Sequence, residues 1–246
     1  MKIADSIEML EITNEMNGGV SYIYPTLIWD EKEVVLIDTG FPGNLDKFRE
    51  AFEKLGLSLS KITKIILTHH DIDHVGTLAP MVKELGDKVE VIAHEKEKPY
   101  ITGELTPIKL AQLEANLDNL PEDKEGFYHM LKAGFAATLT DVNKTVIDGE
   151  VLPYCGGIQV IHTPGHTHGH IGLYHIPSKT LITGDSMNIQ ENHLVGANPV
   201  HTYDMKEANK SLQEYSKLNV QNIISYHCGL YQDNANAAMK ELLVKM

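Results

Sequence analysis

The sequence predicts an α/β fold, two mixed β-sheets facing each other with helices on the outer faces. Three observations carry this. Short apolar and β-branched runs of strand length recur in groups, and the groups are followed by segments of helical periodicity. At 246 residues, 42% of them hydrophobic, the chain can bury a sizeable core. The densest polar chemistry, Thr68-His69-His70-Asp71-Ile72-Asp73-His74-Val75-Gly76, lies in a loop directly after the apolar run Ile65-Ile66-Leu67.

In chain order, Leu10–Ile12 and the stretch from Val20 to Trp29 alternate as strands do, and Asn17-Gly18-Gly19 between them is hairpin punctuation. Glu33 to Gly40 follows as a third strand, apolar on both faces and so buried on both, and it ends in the carboxylate of Asp38. Leu45, Phe48, Phe52 and Leu55 have helical spacing, closed by Gly56; a second helix runs from Thr77 to Leu85, stopped by Gly86. Val89–Ala93 follows as a strand. From about residue 94 to 140 the character changes: Pro99, Pro107 and Pro121 divide a helical insert, whose last helix carries Phe127, Met130, Leu131, Phe135 and Thr138 on one face. That face is expected to line a substrate pocket. Further strands are predicted at Lys144–Ile147, Ile158–His162, His170–Tyr174, Thr180–Thr183 and Val220–Ser225. Helices are predicted from Asp204, an N-cap with Glu207 at the third position, and from Asn234 to Lys245.

Three histidines and two aspartates on nine residues would repel one another unless a positive charge sat among them, and a metal ion is the expected one. If the backbone stays extended past Leu67, His69 and Asp71 point to one place and His70 to the opposite side, while Asp73 and His74 reach a second place as the chain turns. Each pair begins a metal site without completing it. The missing ligands must follow other strands: His166 after Ile158–His162, Asp185 after Thr180–Thr183, and His227 after Val220–Ser225, each beside a glycine that permits close backbone approach (Gly165, Gly184, Gly229).

The ordered motifs Asp38-Thr39-Gly40, Thr68-His69 to Asp73-His74, Thr163-Pro164-Gly165-His166 and Thr183-Gly184-Asp185, with a late His227, resemble the metallo-β-lactamase fold superfamily across most of residues 20–230. The resemblance implies a four-layer αββα sandwich, one domain over residues 1–246 with the insert at about 94–140, and a dinuclear site at one edge. Carried over, His69, position 71 and His166 hold the first metal, Asp73, His74 and His227 the second, Asp185 bridges them, and Asp38 supports the ligands from behind. His170, close to His166, is a candidate for the same supporting part. Asp71 departs from the pattern, standing where the family usually has histidine. Zinc is expected at both positions, with manganese or iron able to compete at the first because an oxygen ligand favours harder ions.

Two such ions lower the pKa of a shared water and polarise a carbonyl, which makes hydrolysis the expected reaction. Asp73 would orient the attacking hydroxide and carry a proton to the leaving group, with Tyr128, Tyr203 and Tyr226 as candidate helpers. The net charge is -13, and Arg49 is the sole arginine. Nucleic acid is therefore disfavoured as a partner and a doubly anionic thioester as a substrate. A small neutral carbonyl compound is expected instead: a lactone, ester, thioester or β-lactam. The alternative reading is an iron-dependent oxidoreductase on the same fold. No apolar run approaches the roughly 18–20 residues that span a bilayer, so no membrane association is expected. With only Cys155 and Cys228, a reducing cytoplasm is the expected compartment and Cys228 an inert buried thiol.

Overall fold

The computed structural model of the chain describes residues 1–16, 19–117 and 121–246. Strands β1 (Lys2–Ala4) and β2 (Ile7–Met9) open the chain, and a ribbon of β3 (Ile12–Met16) and β4 (Gly19–Ile23) follows. β5 (Thr26–Trp29), β6 (Val34–Ile37), β7 (Lys64–Ile66), β8 (Glu90–His94) and β9 (Lys144–Val146) complete this half. Apart from the ribbon they form one seven-stranded sheet in the order β1-β2-β5-β6-β7-β8-β9, antiparallel as far as β6 and parallel from β6 to β9. Asn17 and Gly18, read as the hairpin turn, lie outside the described residues; the flanking pairing of β3 with β4 is antiparallel.

The second half holds β10 (Val151–Leu152), β11 (Ile158–His162), β12 (Ile171–His175), β13 (Thr180–Ile182), β14 (Met187–Gln190), β15 (His193–Gly196), β16 (Asn222–Ser225) and β17 (Gly229–Tyr231). Its six-stranded sheet has the order β10-β11-β12-β13-β16-β17, with β13 and β16 parallel and the other neighbours antiparallel; β14 and β15 form a ribbon that the sequence did not announce.

Parallel neighbours need crossovers, and helices supply them. α1 (Leu45–Lys54) joins β6 to β7; α2 (Ile72–Val75) and α3 (Leu78–Leu85) join β7 to β8; α4 (Lys98–Ile101), α5 (Ile108–Glu114) and α6 (Glu122–Ala136) form the insert between β8 and β9. α7 (Met205–Ser211) and α8 (Ala235–Val244) belong to the second half, and Asp204 caps α7 by accepting from Glu207 N at 2.9 Å, as its position implied.

Side-chain alternation along the strands sorts the core into layers. Val35, Ile37, Ile66 and Ile92 of the first sheet meet Val160, Leu173, Ile182 and Ile224 of the second. On the other face of the first sheet, Leu36, Ile65 and Val91 pack under Phe48, Phe52, Leu78 and Met81 of α1 and α3. Leu181 and Ile223 do the same under Leu212, Met239 and Leu243. The order is helix, sheet, sheet, helix, the expected αββα sandwich.

The strand directions place the chemistry. β6, β7 and β8 run parallel, so the segments after them leave the sheet at one edge. β11 and β13 are both antiparallel to β12, and β16 is parallel to β13, so the segments carrying His166, Asp185 and His227 also leave at a common edge.

The insert differs from expectation in its rotation. Tyr128, Leu131 and Phe135 of α6, at helical spacing, pack with Leu110 of α5, and Ile72 of the metal loop covers the cluster. Leu131 and Phe135 are buried, whereas Phe127 and Met130, expected beside them along a substrate pocket, are 45% and 58% exposed. One residue is about 100° of helix rotation, so anchoring Tyr128 inward turns Phe127 away; the Tyr128 hydroxyl donates to Glu114 of α5 at 3.1 Å and holds that rotation. Leu131→Ala or Phe135→Ala is expected to destabilise the protein by about 2–4 kcal/mol, while Met130→Ala leaves the melting temperature nearly unchanged. Thermal unfolding of the three variants checks this.

Candidate metal centre

Thr68 starts the site. Its backbone N–H donates to Asp38 Oδ1 and its hydroxyl to Asp38 Oδ2, both at 2.8 Å, so the carboxylate ending β6 is locked to the loop after β7. Asp38 Oδ2 also takes the Nδ1 proton of His74 at 2.9 Å, and Thr68 Oγ1 lies 3.0 Å from Nδ1 of His69. On the opposite wall His166 Nδ1 lies 3.4 Å from the hydroxyl of Thr202. In all three histidines Nδ1–H is occupied from behind, which selects the tautomer with Nε2 turned into the site.

Those Nε2 atoms meet carboxylates. Asp71 Oδ2 lies 3.1 Å from His69 Nε2 and 2.8 Å from His166 Nε2, and Asp185 Oδ2 lies 3.4 Å from His166 Nε2. Asp185 turns its other oxygen elsewhere: Oδ1 is 3.2 Å from both His74 Nε2 and His227 Nε2, and Asp73 Oδ2 is 3.3 Å from His227 Nε2. Two donor groups result, His69–Asp71–His166–Asp185 and Asp73–His74–His227, each with its donor atoms within 4.8 Å of one another. Asp185 contributes one oxygen toward each.

Whether these groups suit metal ions is answered by atoms that have nothing else to bond. Asp71 Oδ1, Asp185 Oδ1 and His74 Nε2 are buried without a hydrogen-bond partner. Asp185 Oδ1 and His74 Nε2 are near each other yet misaligned for a hydrogen bond, as donors converging on a shared point would be. Orphaned buried polar atoms are costly, and a cation would satisfy them.

Comparison with known proteins agrees with this geometry. Residues 18–227 match the family model of the metallo-beta-lactamase superfamily. The chain belongs to that superfamily. It is 29% identical over 211 residues to the probable metallo-hydrolase YflN of Bacillus subtilis, covering 78% of this chain and 74% of that protein. It is 30% identical over 164 residues to the hydroxyacylglutathione hydrolase GloC of Haemophilus influenzae, covering 65% of this chain and 64% of that one. A metallo-beta-lactamase family protein of Thermus thermophilus superposes with a TM-score of 0.74 at 23% identity, over 99% of this chain and 80% of that one, which shows the shared fold.

His170 stands behind Asp185: its Nε2 accepts the backbone N–H of Asp185 at 3.1 Å, and its Nδ1 faces Thr163 Oγ1 at 2.9 Å. Burial pushes its pKa down to about 3, so it stays neutral and can accept. A side chain at Gly184 (φ +50°) would press on that ring, its Cβ 2.7 Å from Nε2, so glycine is required there. His70 turns away from the donor groups, as the strand phase predicted, but it is buried: its Nδ1 pairs with the carboxylate of Glu97, which also accepts from Thr167 Oγ1 at 2.8 Å and Gly169 N at 2.7 Å. Glu97 thus ties the loop after β7 to the loop after β11. Lys109 of α5 reaches Asp71 Oδ2 at 2.5 Å.

Other expectations are corrected. Cys228 is exposed, its Sγ 3.6 Å from Asn188 Oδ1, whereas Cys155 is the buried thiol, pushed up to about 12 by burial. Tyr226 spends its hydroxyl on the Asp73 carbonyl at 2.6 Å and packs its ring, tilted, against His74, and Tyr128 is committed within the insert. Among the candidate tyrosines only Tyr203, 53% exposed beside His168, keeps an open hydroxyl.

Without metal the fold balances its own charges. Burial penalises charge on His74, yet the carboxylates of Asp38, Asp185 and Asp73 outweigh it and hold the imidazolium up to about 10. His227 is held up to about 11 in the same way, with Asp185 the main opponent of burial. Burial likewise opposes ionisation of Asp71 and Asp185, but Lys109 and His69 for the first, and His227, His74 and His166 for the second, keep both well below the usual carboxylate range. A histidine whose folded pKa lies above its unfolded value of about 6.5 stabilises the fold fully below that value, and the stabilisation is lost as pH rises through the folded pKa. The melting temperature of chelator-treated protein is therefore expected to fall between about pH 7 and 10. Metal-loaded protein, in which cations replace those protons, should lack that fall. Calorimetry across this range checks it; an unchanged or rising melting temperature in the metal-free protein contradicts it.

Proposed function

We propose that the chain is a dinuclear-metal hydrolase of a small neutral carbonyl compound, a lactone, ester, thioester or β-lactam. The observation that carries the reading is the split of Asp185, one oxygen toward each donor group, together with the orphaned atoms around it. In this reading His69, Asp71 and His166 would hold the first metal, Asp73, His74 and His227 the second, and Asp185 would offer an oxygen to each. Zinc is the principal ion, with manganese or iron able to take the first position because of Asp71. Bound metals supply Lewis acidity, acidifying water and polarising a carbonyl oxygen.

The chain's own residues do the rest. Asp38 and His170 fix ligand orientation. Asp73, the most exposed of the three carboxylates at 16% of its side chain and with its Oδ2 beside His227, is the carboxylate placed to orient the attacking water and pass its proton to the leaving group. His227 is the one ligand of the set with substantial exposure, 35% at its side chain, so substrate approaches from the second metal's side. A neutral substrate is supported by the charge of -13 and by the single arginine, Arg49. The same features argue against the doubly anionic substrates expected of a glutathione thioesterase, although one relative bears that name. The carboxylate of Asp71 among two histidines also favours iron, and iron-dependent oxidoreductase chemistry is the second reading.

His166→Ala and His227→Ala are each expected to remove one metal, read by elemental analysis. Asp38→Asn should weaken metal affinity by about 10- to 100-fold without removing a ligand. A panel of chromogenic lactones, esters, thioesters and β-lactams, run with zinc-, manganese- and iron-loaded protein, tests the reaction class. Turnover with zinc supports hydrolysis, and an iron-only, oxygen-consuming activity supports the second reading. Two metals retained in the His166→Ala protein would overturn the ligand assignment.

A further inference from the structure

Three consecutive residues of the metal loop each dock the insert. His70 stacks on Tyr100 of α4 with ring centroids 4.1 Å apart, and its Nε2 accepts from Ile108 N at 3.3 Å. Asp71 meets Lys109, and Ile72 packs on the cluster of Leu110, Tyr128, Leu131 and Phe135. α5 is thereby fixed against the loop, since Ile108 and Leu110 on either side of Lys109 are both buried.

The atom that Lys109 reaches decides what this contact means. Its ammonium lies against Asp71 Oδ2, the oxygen turned toward His69 and His166, while Oδ1 has no partner. Oδ2 is the Asp71 oxygen nearest both imidazole nitrogens, and so the one that a cation shared by His69, His166 and Asp71 meets first. Two cations on one carboxylate oxygen repel each other, and the flexible lysine, whose side chain is 32% exposed, has solvent to move into where the metal has not. A histidine at position 71 would offer Lys109 no such anchor.

We propose that Lys109 competes with the first metal for Oδ2 of Asp71: the ammonium neutralises the carboxylate in the metal-free protein and is displaced toward solvent when the first position fills. Lys109 is then a positioning residue that sets the occupancy of the first metal and links it to the seating of α5. The inference rests on the reading of Asp71 as a ligand.

Two measurements on the full chain test it. In the wild-type protein, acetylation of Lys109 followed by mass spectrometry is expected to be slow without metal and faster once zinc is added. In competition with a chromogenic chelator, Lys109→Met is expected to bind the first zinc about tenfold more tightly than wild type, and Lys109→Arg to stay close to wild type. Protection of Lys109 by zinc, or unchanged or weaker zinc binding in Lys109→Met, overturns the proposal. Asp71→Asn separates this failure from that of the underlying reading: if it keeps the first zinc, Asp71 is not a ligand, whatever Lys109 does.

Discussion

Three buried or nearly buried carboxylates converge on one edge of the sandwich, and much of the site follows from the need to hold Asp71, Asp73 and Asp185 together there. Buried like charges at such separations are strongly unfavourable unless positive charge is interleaved with them. The metal-free chain supplies that charge from His74, His227 and Lys109. Each is a replaceable counter-charge: two are protons on imidazoles and the third is a lysine that reaches solvent. A site built this way is ready to exchange them for divalent ions.

The sandwich makes the convergence possible through strand direction. Parallel β6, β7 and β8 and co-directional β11, β13 and β16 bring six segments far apart in sequence to one edge without any long structureless connection. Precision then comes from behind the ligands. Asp38 grips His74 directly and His69 through Thr68; His170 grips the Asp185 backbone; Glu97 joins the loops of His70 and His166. At Gly165 (φ +131°) a Cβ would lie 2.2 Å from the Ala208 nitrogen, so only glycine lets the His166 loop pass the start of α7 so closely.

Most strands, and the residues that gather in the two donor groups, were legible in the sequence because each obeys a local rule: an apolar run, then a polar residue where the run ends. The opposite facing of Asp71 and His70 followed from strand alternation and holds. The parts that escaped have no local signature. Glu97 and Lys109 act on residues 27 and 38 positions away, and nothing near them marks a contact at that range. The one available hint for Lys109 was that an aspartate at position 71 leaves the site one positive charge short. The face of α6 was misplaced because apolar residues occur on several sides of that helix, and contact with α5, rather than the helix's own pattern, decides which of them turn inward. Cys228 was read as a buried, inert thiol because no second cysteine lies near it in sequence, whereas its neighbour His227 lies at the open side of the site.

The central claim is that two donor groups joined by Asp185 bind two metals. Anomalous diffraction from crystals of the zinc-loaded protein, collected on either side of the zinc edge, tests it most directly. The predicted map has two peaks roughly 3.5–4 Å apart, one among His69, Asp71 and His166 and one among Asp73, His74 and His227, with Asp185 between them. A single peak, or a peak beside His70 and Glu97, would contradict it.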